Sequence, residues 1–201
     1  MTENIILDTD AYKLTHHLQY PEHLTKIYSY AEARPGSRFH TLSWFGLQMV
    51  VHDHLLGKVT EDMIDEAQTL SQSVFGNDEF FNRPVWEKVA KIGYLPIRIK
   101  EIGEGAQVPI STPLLTLEST APWFATTLNA LESILMHVWY PTTIATNSLY
   151  IKKGLEPVFV RKRQFERAGA RCQRFRFERS QQLAVGSAGR CSSFAAFSQL
   201  R

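Results

Sequence analysis

The pattern of this chain breaks near residue 159, and the break limits how much of it a single fold can contain. Up to Phe159 apolar residues recur at helical or strand spacing, whereas beyond it neither stripe persists. Charge changes at the same place. Residues 160–201 hold ten of the 22 Lys and Arg, nine of them Arg, but only Glu166 and Glu178 of the 20 acidic residues. That is a balance of +8 for the tail, leaving −6 for residues 1–159. All seven His and all four Trp precede the break. Such asymmetry suggests a nucleic-acid arm or a segment foreign to the fold. Residues 1–159 are therefore read as one folded region and residues 160–201 as a basic tail, frameshifted or disordered.

The chain has the means to bury a core, since 44% of it is apolar and it includes four Trp and twelve Phe. No apolar run approaches the roughly 18 residues of a membrane span, and the N-terminus lacks signal-peptide character. Cytoplasm is the default expectation. Cys172 and Cys191 form neither a disulfide framework nor a zinc pattern and receive no role.

Residues 26–34, K-I-Y-S-Y-A-E-A-R, alternate like a strand that ends before Pro35-Gly36, with Arg34 at its end. Trp44, Leu47, Val51 and Leu55 predict a helix over 43–56. A second helix is expected from Glu61, capped by Thr60 and stopped by Gly76, with Met63, Ile64, Ala67, Leu70 and Val74 inward. A third starts at Pro84 with Val85, Trp86 and Val89 inward. Residues 97–102 and the extended stretch after Gly105 read as a small antiparallel unit. From Thr120 a helix with Trp123, Leu128, Leu131, Leu135 and Val138 on one face is expected to run to Pro141, and another to be stopped by Pro157.

The densest chemistry lies in I-L-D-T-D-A-Y-K-L-T-H-H, residues 6–17. Asp8-Thr9-Asp10 admits three readings: a helix cap, a substrate contact, or a D-x-D that holds a divalent ion beside a diphosphate. Capping is the most ordinary of them. His16-His17 diverge on a helix, and His52-x-His54 converges only in a strand, so all four are read as structural or exposed. There is no phosphate-cradling Gly-rich loop and no G-x-S-x-G elbow. Phe165, Phe175 and Phe177 among the tail arginines superficially suggest single-strand binding, but no nucleic-acid fold signature surrounds them.

Five stretches in register carry a resemblance: N-I-I-L-D-T-D-A-Y-K-L-T-H-H-L-Q-Y-P, K-I-Y-S-Y-A-E-A-R, W-F-G-L-Q, L-P-I-R-I-K-E-I-G-E-G and H-V-W-Y-P-T-T-I-A-T-N-S. Together they resemble the N-terminal part of the nicotinamide phosphoribosyltransferase family, over residues 4 to about 159. The resemblance implies an α/β (α+β) fold, the N-terminal portion of a type II phosphoribosyltransferase, with an incomplete α/β barrel and a small β-rich domain. It implies pentosyl transfer from 5-phosphoribosyl 1-diphosphate to nicotinamide in NAD salvage, assisted by Mg2+ whose ligands are not in this chain and coupled to ATP. It also implies a homodimer whose sites are shared between subunits.

Three residues carry over. Asp10 and Tyr12 match an Asp and Tyr that reach the partner's nicotinamide pocket, and Arg34 matches an arginine near the phosphoribosyl diphosphate. Asp8 falls where the family varies, which weakens the D-x-D reading. No catalytic residue and no metal ligand is assigned.

Family chains are more than twice this length, and beyond Phe159 none of their later catalytic motifs is present. A reading-frame shift near residue 159 or 160 is expected, because back-translating residues 174–182 one nucleotide later permits a family-like D-F-G followed by G-V-S-S. Such a truncated chain is expected to be inactive alone, and to expose the apolar face of Leu128, Leu131 and Leu135. Two alternatives are a binding module whose basic tail meets nucleic acid or another acidic partner, and a fragment that pairs with a full-length subunit and modulates it.

Overall fold

The computed structural model describes residues 4–160. The tail proposed to be frameshifted therefore lies almost wholly outside the described residues. Helices and small sheets mix, as expected for the α/β class. The chain divides into two units, each assembled from three separate segments.

The first unit comprises, among the described residues, 4–31, 50–101 and 113–137. It opens with a tight 3₁₀ helix, Ala11–Leu18, and leads into β1 (Tyr28–Glu32), whose last residue belongs to the second unit. Its sheet has the order β1-β5-β3, with β3 spanning Ile97–Glu101 and β5 spanning Pro113–Ser119. β3 and β5 are antiparallel, pairing Ile97 with Ser119 and Glu101 with Leu115, so the predicted antiparallel unit forms. Central β5 buries Leu115 and Leu117 on alternate positions and Leu114 besides.

Two helices cover this unit. α2 (Glu61–Phe75) starts where Thr60 accepts a hydrogen bond from the Met63 amide, and ends at Gly76 in the left-handed region. α3 (Arg83–Ile92) has Pro84 in its first turn and buries Val85, Trp86 and Val89 as expected. The inward stripe of α2 differs from the predicted one. Ile64, Ala67 and Ser71 are buried, whereas Leu70 and Val74 are about half exposed. The deep side thus follows the small residues, which let α2 approach its neighbours closely, and the hydroxyl of Ser71 is buried without a partner.

The helix expected from Thr120 is broken instead of continuous. A 3₁₀ turn, Pro122–Thr127, precedes α4 (Ala130–Leu135), and a second 3₁₀ turn, Met136–Val138, follows it. The apolar face nevertheless points inward. Leu128, Leu131 and Leu135 are at most 2% exposed, which overturns the expectation that they would be laid open. In the same unit the Trp86 ring of α3 meets Phe124 edge-on at 6.1 Å, both side chains fully buried.

The second unit comprises, among the described residues, 32–49, 102–112 and 138–160. Here β2 (Thr41–Ser43) pairs antiparallel with β4 (Gln107–Pro109), Leu42 facing Val108. The extended stretch after Gly105 is therefore shared between two sheets, β4 in one and β5 in the other. Ser111, at φ 61, makes the turn between them. The predicted helix over 43–56 begins later than expected, because Ser43 ends β2 and the Trp44 amide still pairs with the Ala106 carbonyl at 2.9 Å. Only α1 (Leu47–Val50) and a π-helical turn, Val51–Leu55, remain of it.

α5 runs from Trp139 to Val160. Pro141 lies in its first turn, where an amide has no intrahelical partner to lose, so it opens this helix and does not close the one before. Pro157 does not stop it either. α5 pins β2 through threonines: the Thr146 hydroxyl accepts from the Ser43 amide at 3.0 Å, and the Thr142 hydroxyl donates to the Phe45 carbonyl at 2.8 Å. Gly46, at φ 106, lies directly against the Pro141 ring, leaving no room for a Cβ.

Candidate functional site

Asp10 stands at the N-terminal edge of the Ala11–Leu18 turn, the position of a cap, yet its side chain makes no capping bond. Its carboxylate turns aside and accepts a hydrogen bond from the Ser133 hydroxyl of α4 at 2.8 Å. Ser133 in turn accepts from the Lys13 ammonium at 2.9 Å. The ordinary capping reading is therefore replaced by a longer-range contact that sequence spacing does not reveal.

Lys13 anchors this arrangement. Its side chain is only 10% exposed, and it lies 3.6 Å from Asp10 and 3.7 Å from Glu132. Glu132 also accepts from Ser29 at 2.7 Å and from the Asn129 amide at 2.9 Å, while the Tyr20 hydroxyl donates to Asn129. Burial, and then the Glu132 charge, push the Tyr20 phenol above its ordinary range. A buried cation needs such company, since an unpaired one is costly in low dielectric. The network holds the first turn of the chain on α4.

Tyr12 leaves this network and points outward, 59% exposed, its ring tilted against His16 at 5.3 Å. His17 bonds backbone carbonyls of Leu14 and Glu79, so the adjacent histidines are structural, as expected. Arg34 is exposed and lies two residues beyond β1, in the second unit. The structure thus joins Asp10 and Tyr12 on one short helix and assigns Arg34 to the other unit.

One group escaped sequence reading. Asp8, His54 and His137 come together in the first unit, with one ligand atom of each lying within 4.8 Å of the others. His54 was weighed only against its neighbour His52, which is exposed and contacts Asp53. Nothing local signals a meeting of residues 8, 54 and 137. An open cleft of about 440 Å³ runs past this group, lined by Asp8, Asp10, Lys13, Ser133 and His137 among others. The magnesium implied by resemblance does not fit it, because Mg2+ prefers all-oxygen octahedral ligation and two of these three groups are imidazoles.

The mixed helices and small sheets place the described residues in the α/β class. Residues 4–99 match the family model described as "Nicotinamide phosphoribosyltransferase, N-terminal domain". A nicotinamide phosphoribosyltransferase of Xanthomonas campestris pv. campestris (strain 8004) is 37% identical over 153 residues, 75% of this chain and 32% of that protein. One of Acinetobacter baylyi (strain ATCC 33305 / BD413 / ADP1) is 28% identical over 161 residues, 73% of this chain and 32% of that protein. The N-terminal region of this chain belongs to the nicotinamide phosphoribosyltransferase family. The chain spans about a third of the length of these relatives. Among the described residues no helix is long and apolar enough to cross a membrane.

Proposed function

We propose that this chain supplies one half of a nicotinamide phosphoribosyltransferase site of NAD salvage, where nicotinamide displaces diphosphate from 5-phosphoribosyl 1-diphosphate to give nicotinamide mononucleotide. Asp10 and Tyr12 are its contribution to a partner subunit's nicotinamide pocket, and Arg34 its contribution near the phosphorylated substrate. The observation that carries this reading is the presentation of Asp10 and Tyr12. They stand exposed at the start of a helix whose base is fixed through Lys13 and Ser133. An exposed pair on a fixed base suits donation across an interface, because positioning without an ordering cost is what such residues add to a reaction.

Mg2+ and ATP belong to the complete enzyme, and the ligands for Mg2+ come from outside this chain. A cytoplasmic homodimer, or pairing with a full-length subunit, is the setting in which the half-site acts.

The test is complementation. Alone, the chain given nicotinamide, 5-phosphoribosyl 1-diphosphate, Mg2+ and ATP yields no mononucleotide. Co-expressed with a full-length family subunit whose matching Asp and Tyr are replaced by Ala, it copurifies and restores product, and Asp10→Ala in the chain removes that rescue. Mononucleotide formed by the chain alone, or rescue indifferent to Asp10, contradicts the reading.

A further inference from the structure

We propose that Asp8, His54 and His137 form a binding site for a borderline divalent transition ion of the Zn2+ type. The Asp8 carboxylate faces both imidazoles, one oxygen toward each: Oδ2 lies 3.5 Å from Nδ1 of His54, and Oδ1 lies 3.8 Å from Nε2 of His137. These separations are longer than the roughly 2.7–3.2 Å of an N–H···O hydrogen bond and are those of an ion pair when an imidazole is protonated. Oδ2 is buried and has no hydrogen-bond partner. A buried carboxylate oxygen left unsatisfied is costly, and a bound cation satisfies it.

The spacing suits such an ion. Ligand atoms about 2.0–2.1 Å from a tetrahedral Zn2+ stand roughly 3.3 Å apart, and the three groups, with one ligand atom of each within 4.8 Å of the others, would draw together around the ion. The two rings meet edge-to-face, 5.2 Å apart and inclined at 72°, with Nδ1 of His54 and Nε2 of His137 both beside the one carboxylate. Two imidazoles with one carboxylate select borderline ions over Mg2+ or Ca2+. A fourth position opens on the cleft lined by Asp8 and His137, leaving room for water.

The backbone supports the grouping. His54 lies in a π-helical turn and His137 in the 3₁₀ turn after α4, both departures from regular helix. π-helical turns concentrate at functional sites because they re-aim a side chain. The site fastens the N-terminal segment to two interrupted helices, and its occupancy is independent of whether the chain completes a transferase site.

Metal titration of the chelator-treated 201-residue chain tests this. Co2+ is expected to bind at one equivalent with the visible spectrum of a low-coordinate imidazole site, to be displaced by Zn2+, and to be indifferent to excess Mg2+. Asp8→Asn, His54→Ala and His137→Ala are each expected to weaken binding by at least about tenfold. His52→Ala is expected to leave it unchanged, with circular dichroism reporting the fold of each variant. Should His54→Ala fail to fold, the more exposed His137→Gln decides. Retention of full Zn2+ affinity in folded His137→Gln, equal competition by Mg2+, or no stoichiometric binding by the unaltered chain would each overturn the proposal.

Discussion

A carboxylate's role depends on what reaches it, and Asp8 and Asp10 show this two residues apart. Asp10 receives the Ser133 hydroxyl, itself held by Lys13, while Asp8 faces two imidazoles from distant segments. Neither Ser133 nor the two imidazoles lie near the D-T-D tripeptide in sequence. Gly46 is the converse case, a residue whose identity its surroundings dictate. Its φ of 106 is the left-handed region, and a Cβ there would run into the Pro141 ring. Gly46→Ala is therefore expected to cost roughly 2–4 kcal/mol, strain and overpacking together, read as a lowered Tm by calorimetry. An unchanged Tm would mean the backbone relaxes freely there. Within the core, Leu131→Ala is expected to lose about 2–5 kcal/mol, since the side chain is fully buried.

At the level of elements, local signals predicted the ends of α2, which Thr60 caps and Gly76 closes in the left-handed conformation, whereas neither Pro141 nor Pro157 stops a helix. Thr60→Ala is expected to cost about 1 kcal/mol in urea unfolding. Breaks within helices were not legible in this way. The interruptions around α4 follow from how its apolar face packs, and the pattern Leu128, Leu131, Leu135, Val138 reads the same whether or not the backbone tightens between them. In β5, Glu118 bonds Lys26 and its cross-strand partner Arg98, each at 2.7 Å. Lys26 first, with Arg98 adding to it, holds its carboxyl below the ordinary range. A depressed folded-state value stabilises above the unfolded carboxylate value of about 4.3, and the benefit is lost as pH falls through the folded one. Glu118→Gln should therefore flatten the acid limb of the stability curve below about pH 4 and leave its shape near neutrality unaltered. A variant whose acid limb matches the unaltered chain would show that the clamp contributes nothing.

Across the whole molecule, the two units are each built from three stretches of chain, and this interleaving explains which features sequence reading reached. Asp10, Tyr12 and Arg34 were named by motif, but their division between the units was not. The Asp8, His54 and His137 group was missed because its members are 46 and 83 residues apart along the chain. The expected exposure of the helix containing Leu131 failed for a related reason: cover for an apolar face comes from elements remote in sequence. Rescue of a full-length subunit lacking its own Asp and Tyr is the prediction that belongs to this scale, since it depends on the chain acting as a unit. By itself the sequence determined the family and with it the α/β class, through motifs in register, and the Thr60 cap and many of the inward residues, through periodicity and short-range stereochemistry. Tertiary structure alone decided where helices break, which sheet each half of the 107–119 stretch joins, and which side chains meet at Asp8. Those outcomes depend on contacts between segments whose separation along the chain carries no local signal.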